Sequence, residues 1–178
     1  MTQEALANKL GVSFVTVNSW ERGRSAPRTS HLDKINRLAE ELGVRTDLMV
    51  LAIDDDATAC AIIEGLVAGS SVPASVETTT DPSKGLILCG AIAPDLLIID
   101  VMMPFIDGFE VARQLAEIRA DQLPMIVFAT SSSDPAVAQR AADLGHSILL
   151  KPMRQETIDA LLLAAANGKP SPLGSESR

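Results

Sequence analysis

Tyrosine is absent from this chain, and aromatic residues fill only 3% of its 178 positions. With so few rings, a packed interior has to come from Ala, Leu, Ile and Val, a composition that favours helices. Cysteine is scarce as well. Cys60 and Cys89 lack the paired spacing of a zinc site, and they read as reduced thiols of a cytoplasmic protein. No apolar run is long enough to span a bilayer, which leaves no membrane partner to expect. The opening Met1-Thr2-Gln3-Glu4 has neither the basic nor the apolar region of a secretory signal. What the chain does have is 47% hydrophobic residues, enough for a core, in a length that suits one medium or two small domains.

Charge divides the chain. Residues 1–46 carry seven Lys/Arg against five Asp/Glu, and residues 47–178 carry eight against eighteen. A mildly basic segment joined to an acidic one predicts two domains with different partners. The acidic one repels nucleic acid.

The basic segment reads as all-α. Thr2 can cap a helix over residues 2–10, which Gly11 ends. Ser13 can cap a second helix from Phe14 to Glu21, and Gly23 and Pro27 close it. A third, from Ser30 or Leu32 to Leu42, stops at Gly43. Two helices around a short glycine-containing turn signal a helix-turn-helix. Val17 and Trp20, three residues apart, read as core.

From residue 48 the period changes. Candidate strands at 48–53, 75–79, 96–99, 125–129 and 148–150 alternate with candidate helices at 57–68, 83–91, 108–120, 134–144 and 154–166. Five such units predict an α/β fold with a parallel sheet covered on both faces. The expected boundaries are 1–46, 47–167 and a tail, 168–178, whose Gly, Pro and Ser content predicts disorder. A short linker, about Val44 to Asp47, joins the first two.

Three predicted strands stop on charge: Asp54-Asp55-Asp56, Asp100, and Lys151-Pro152. Parallel strands bring such ends to one sheet edge, where open α/β sheets bind ligands. Crowded carboxylates repel one another unless a cation joins them, and Mg²⁺ takes a few carboxylates with other oxygens. A carboxylate can also act as a nucleophile toward phosphorus, with a lysine as the point charge for phosphoryl oxygens. An Asp just after a strand is commonly only a cap. The joint pattern is the specific one.

On Ile53-Asp54-Asp55-Asp56, Ile99-Asp100-Val101-Met102-Met103-Pro104, Asp107-Gly108 and Leu150-Lys151-Pro152, residues 48–166 resemble the receiver domain of two-component response regulators. The resemblance implies a five-stranded, doubly wound, flavodoxin-like sheet. It implies Asp100 as phosphoacceptor, Mg²⁺ held by Asp55, Asp100 and the Met102 carbonyl with Asp54 helping through water, Lys151 on the phosphoryl group, and a cis bond before Pro152. Two positions depart from the family. A Ser or Thr usually ends the fourth strand and binds the phosphoryl group. Counting from Lys151 or Pro124 puts Ala129 there, and counting from Asp100 puts Thr130. The aromatic switch residue of the fifth strand is replaced by Ile148.

On Thr2-Gln3-Glu4-Ala5-Leu6-Ala7, Leu10-Gly11-Val12-Ser13, Trp20-Glu21-Arg22-Gly23 and Leu38-Ala39-Glu40-Glu41-Leu42-Gly43, residues 2–43 resemble phage-repressor helix-turn-helix domains. The resemblance places the second helix in the major groove, with Phe14, Val15, Thr16, Asn18 and Ser19 toward bases and Ser13 among the DNA-binding residues. Gln3 at a helix N-terminus suits a phosphate, and Arg22, Arg24 and Arg28 add others. Such domains ordinarily have a helix ahead of the Thr2-Gln3 segment. Cover by a partner protomer or by the receiver, a start further upstream, and a front unit kept only for docking all stay open.

The expectation is a response regulator phosphorylated on Asp100 by a histidine kinase or phosphotransfer protein. It would act on DNA as a homodimer. The alternative is a signalling or docking protein with an atypical receiver and no DNA binding. No dedicated enzyme is expected. A haloacid-dehalogenase-type phosphatase would carry an Asp two residues after its nucleophile, where this chain has Met102.

Overall fold

Each apolar run after residue 47 becomes a strand, and each amphipathic stretch between them a helix. The structure, a computed structural model, describes residues 2–41, 47–118 and 123–168. The chain divides into two units, Met1–Thr46 and Asp47–Arg178. The expected helix end at Leu42-Gly43, residues 44–46 of the expected linker, the last two residues of the helix expected over 108–120, and the tail beyond Gly168 lie outside the described residues.

The front unit has three described helices: α1 (Gln3–Leu10), α2 (Phe14–Glu21) and α3 (Thr29–Glu41). Thr2 caps α1, its hydroxyl accepting from the Ala5 N–H at 3.2 Å. Gly11 ends α1 with φ at 70°, a conformation costly for a residue with a Cβ. Ser13 caps α2 through the Thr16 N–H at 3.1 Å. Ala7, Leu10, Val17 and Leu38 are buried, so Val17 is a core residue. Trp20 is half-buried, its ring 5.5 Å from that of His31.

The second unit runs β1 (Leu48–Ile53), α4 (Ala57–Ala68), β2 (Ala74–Thr79), α5 (Pro82–Ile92), β3 (Leu96–Asp100), α6 (Gly108–Ile118), β4 (Met125–Thr130), α7 (Pro135–Asp143), β5 (Ser147–Leu150) and α8 (Gln155–Ala166). All strands are parallel, in the order β2-β1-β3-β4-β5. The order reverses between β1 and β3, which is where such sheets open a crevice. Both faces are covered, so the central strands β1, β3 and β4 read as nearly continuous apolar runs, while the edge strand β2 alternates. On one face Leu51, Ile53, Leu97, Ile99 and Phe128 pack with Phe109, Ala112 and Leu115 of α6. On the other, Val50, Ala52, Ile98, Val127 and Leu149 pack with Ile63 and Val67 of α4 and with Ile158, Leu161 and Leu162 of α8.

Two strand ends differ from expectation in a way that matters. β3 and β4 each extend one residue further, through Asp100 and Thr130. The cause is the ladder itself: Asp100 pairs with Ala129, and the Val101 N–H bonds to the Ala129 carbonyl at 2.9 Å. Asp100 is therefore the last rung of the β3–β4 ladder.

Gly108 closes the loop after β3. Its N–H bonds to the Val101 carbonyl at 3.1 Å. A Cβ on it would lie 2.2 Å from the Asp100 carbonyl oxygen and 3.0 Å from Ile99 Cγ2. The first contact is with backbone at the end of a central strand, which cannot swing away. Gly108→Ala is therefore expected to destabilise the unit by about 3 kcal/mol, the upper end for overpacking. Urea unfolding measures this, and an unchanged midpoint would refute the contact.

Candidate functional site

Each of the three charged strand ends delivers a side chain to one place. Asp54 follows β1 and is 2% exposed. Asp100 ends β3 and is 4% exposed. Lys151 follows β5, its backbone fixed by an N–H bond to the Thr130 carbonyl at 2.8 Å. Its Nζ lies 2.6 Å from Asp54 Oδ2 and 2.7 Å from Asp100 Oδ1. The remaining oxygens are held by backbone. Asp54 Oδ1 accepts from the Asp56 N–H at 3.1 Å, and Asp100 Oδ2 from the Met102 N–H at 3.0 Å. The Lys151-Pro152 peptide is cis.

The aspartate triplet splits by role. Asp56 is a helix cap: its carboxylate accepts the Thr58 N–H at 2.8 Å, and that bonding holds it below the usual carboxylate range. Asp54 and the exposed Asp55 join Asp100 in a cluster in which one carboxylate oxygen from each lies within 4.8 Å of the other two. Opposed ligands of an octahedral Mg²⁺ stand about 4.2 Å apart, twice the metal–oxygen bond. An all-oxygen set of this size and charge fits a hard divalent cation.

Burial raises the Asp100 carboxyl, the Lys151 hydrogen bond offsets part of that, and the net direction is upward. Burial also draws Lys151 down, but its bonds to Asp100 and Asp54 prevail and leave it above its ordinary value. Behind the pocket, the Cys60 thiol donates to the Asp54 carbonyl at 3.5 Å, and burial pushes that thiol up.

The candidates at the end of β4 separate by sheet face. Ala129 pairs with Asp100 and packs in the layer of Ala52, Ile98 and Leu149, the face on which Asp54, Asp100 and Lys151 follow by alternation. Thr130 is one residue on and faces the opposite side. It is fully buried, and its hydroxyl accepts from the Ser132 N–H at 3.1 Å. Ile148 packs half-buried against the Phe128 layer.

One arrangement had no signal in the sequence. Asp107 caps α6 through the Glu110 N–H at 2.8 Å, and its other oxygen pairs with Arg140 Nη1 of α7 at 2.9 Å. Arg140 lies 4.3 Å from the centre of the Phe109 ring, which stands 4.5 Å from that of Phe128 in β4. The loop after Asp100 is thereby tied to α7 and to the core.

In the front unit, Val15 is 72% exposed, and Phe14, Arg22, Arg24 and Arg28 are exposed too. Asn18 is half-buried. Several polar candidates already have partners. The Ser13 hydroxyl bonds to that of Thr16 at 2.8 Å, Ser19 bonds to Ser25 at 2.8 Å, and the Gln3 amide donates to the Glu21 carboxylate.

Residues 50–163 match the family described as the response regulator receiver domain, and residues 1–48 match a helix-turn-helix family. The chain is 34% identical over 116 residues to the transcriptional regulatory protein AfsQ1 of Streptomyces coelicolor, covering 65% of this chain and 49% of that protein. It is 36% identical over 121 residues to the response regulator MprA of Mycobacterium leprae, covering 66% and 50%. The chain thus spans about half the length of these curated relatives. Among solved structures, the receiver domain of the response regulator NarL from Mycobacterium tuberculosis superposes with a TM-score of 0.57 at 27% identity, over 70% of this chain and 100% of that one. A receiver domain from Clostridium thermocellum gives 0.61 at 23% identity, over 68% and 95%, a likeness of fold. Among the described residues no helix is long and apolar enough to cross a membrane.

The raised Asp100 carboxyl makes stability depend on pH. The folded chain binds this proton more tightly than the unfolded chain, so ionisation costs stability as pH rises above the ordinary value of 3.8. Asp100→Asn removes that cost, and Lys151 keeps Asp54. The variant is expected to melt higher than the parent at pH 7, with the difference shrinking toward pH 4. A difference in melting temperature that stays constant across this range would show that burial of Asp100 carries no such cost.

Proposed function

The chain belongs to the response regulator receiver family, and from that premise we propose that it is a two-component response regulator whose Asp100 accepts a phosphoryl group. The donor would be the phosphohistidine of a histidine kinase or phosphotransfer protein. The observation that carries this reading is the single ammonium of Lys151 lying within 2.7 Å of both Asp54 and Asp100. Buried carboxylates beside a fixed cation are what a strand-end nucleophile for phosphorus needs.

In this mechanism an Asp100 carboxylate oxygen attacks the incoming phosphorus. The Met102 N–H orients that carboxylate through Oδ2. Lys151 neutralises charge on the phosphoryl oxygens, and its bond to Asp54 keeps it at the pocket. Asp54, Asp55 and Asp100, with the Met102 carbonyl, would hold Mg²⁺, which supplies charge neutralisation for phosphoryl oxygens when bound. Neither Ala129 nor Thr130 offers a hydroxyl on the Asp100 face, so the phosphoryl group would be held by Lys151 and backbone.

The front unit, residues 1–46, would read DNA as part of a cytoplasmic homodimer, with Phe14 and Val15 against thymine methyls and arginines on phosphates. A second reading, a docking protein without DNA binding, draws on a specific observation: Gln3, Ser13, Thr16 and Ser19 spend their polar groups inside the unit. Genome-wide binding at stated salt separates the two.

Labelling by acetyl phosphate with Mg²⁺, read by mass, is expected to add one phosphoryl group to the parent and none to Asp100→Asn. Label persisting on the variant would place the acceptor elsewhere. Replacing Arg22 and Arg24 by Ala is expected to weaken binding evenly across DNA sequences and to lower the salt slope by about one per arginine. An unchanged slope would remove both arginines from the interface.

A further inference from the structure

The loop between Asp100 and α6 carries a side chain that folding does not need. Phe105 is 109% exposed, more open than in an extended chain. Its φ is 71°, in the left-handed region that a bulky residue avoids. The Ile106 N–H donates to the Pro104 carbonyl at 2.9 Å, closing a three-residue turn about Phe105, and with φ positive this is the strained form of that turn. The turn is held from both sides, by buried Val101 and Met103 before it and by the Gly108 bond to Val101 after it. Glycine or asparagine would occupy the tip with less strain and no exposed ring. Strain combined with an exposed ring, on the loop that the phosphoacceptor starts, points to function. Met102 of the same loop is 71% exposed.

Building on the reading that Asp100 is phosphorylated, we propose that Phe105, with Met102, is the apolar anchor on which the phosphohistidine-bearing donor protein seats. Asp100 is almost wholly buried, so a protein donor has to press against the pocket rim to bring phosphorus to it. Charge does not favour that approach. Residues 47–178 carry eighteen acids against eight bases, and the donor arrives with a phosphoryl dianion. An aromatic anchor attracts without charge, and aromatic residues carry much of the energy at protein interfaces. In the transfer the P–N bond breaks and an O–P bond forms at the Asp100 carboxylate. The P–N electron pair stays on the imidazole nitrogen, which takes a proton from water.

The test compares donors that use the surface with donors that do not. The parent, Phe105→Asn and Phe105→Ala are labelled with phosphoramidate, a small P–N donor, and with a panel of autophosphorylated histidine-kinase cores. The core that labels the parent fastest is then used throughout. Phosphoramidate labelling is expected to be equal in all three chains. Transfer from the kinase core is expected to fall on the order of 10-fold in both variants, the loss typical of an interface aromatic. Phe105→Asn is expected to melt higher than the parent, which shows the loss is not unfolding. Equal kinase transfer in parent and variants overturns the anchor. So does a parent that phosphoramidate labels but no kinase core does. A change in oligomeric state of the variants with transfer intact assigns the ring to a second copy of the chain instead. Failure of phosphoramidate on the parent removes the Asp100 reading itself.

Discussion

One ammonium group holds two buried carboxylates at the end of a parallel sheet, and the site depends on that arrangement. Burial of Asp100 works against its charge, and the Lys151 ammonium offsets part of that cost. The lysine reaches them from β5, two strands from β3 at about 4.8 Å per strand. β4 lies between, and Ala129 is the residue in register with Asp100 on the face the side chain crosses. A small residue there leaves the path open. The feature that removes a hydroxyl from the pocket thus also gives the lysine room.

The remaining constraints fix the surroundings of Asp100. Asp100 is a rung of the ladder, its carboxylate is bonded by the Met102 N–H, and its carbonyl is pressed by Gly108. The loop that follows is anchored at its far end by Asp107 to Arg140. The Met102 N–H is thus at one end of the loop from Asp100 and the ion pair at the other. With Ile148 where an aromatic would be expected, the line from Asp107 through Arg140 and Phe109 to Phe128 is the aromatic connection among the described residues from loop to sheet.

Much of this was legible in the sequence, for a physical reason. A parallel sheet buried on both faces writes itself as apolar runs between helices, so α4 begins and ends where its cap and periodicity put it, and in the front unit the Ser13 cap does the same for α2. Strand ends carrying charge marked the pocket. What stayed hidden depends on pairing across distance. Whether Ala129 or Thr130 faces Asp100 follows from register, and counting residues through loops cannot supply register. The Arg140–Asp107 pair joins residues thirty-three apart and forms only once α7 is placed. Phe105 sits in a Pro-Phe-Ile string that gives no sign of a left-handed turn.

The contact between Gly108 and the Asp100 carbonyl makes the stretch joining them a unit of fixed length. A change of length that displaces Gly108 puts another residue, with its Cβ, onto that carbonyl. Substitutions at the loop tip are tolerated by this geometry, whereas indels that displace Gly108 are not. Fusion junctions, chimeric crossovers and inserted reporter tags for this protein therefore have to fall outside residues 100–108. A scaffold that borrows the acidic site needs the whole stretch, glycine included, transplanted as one piece.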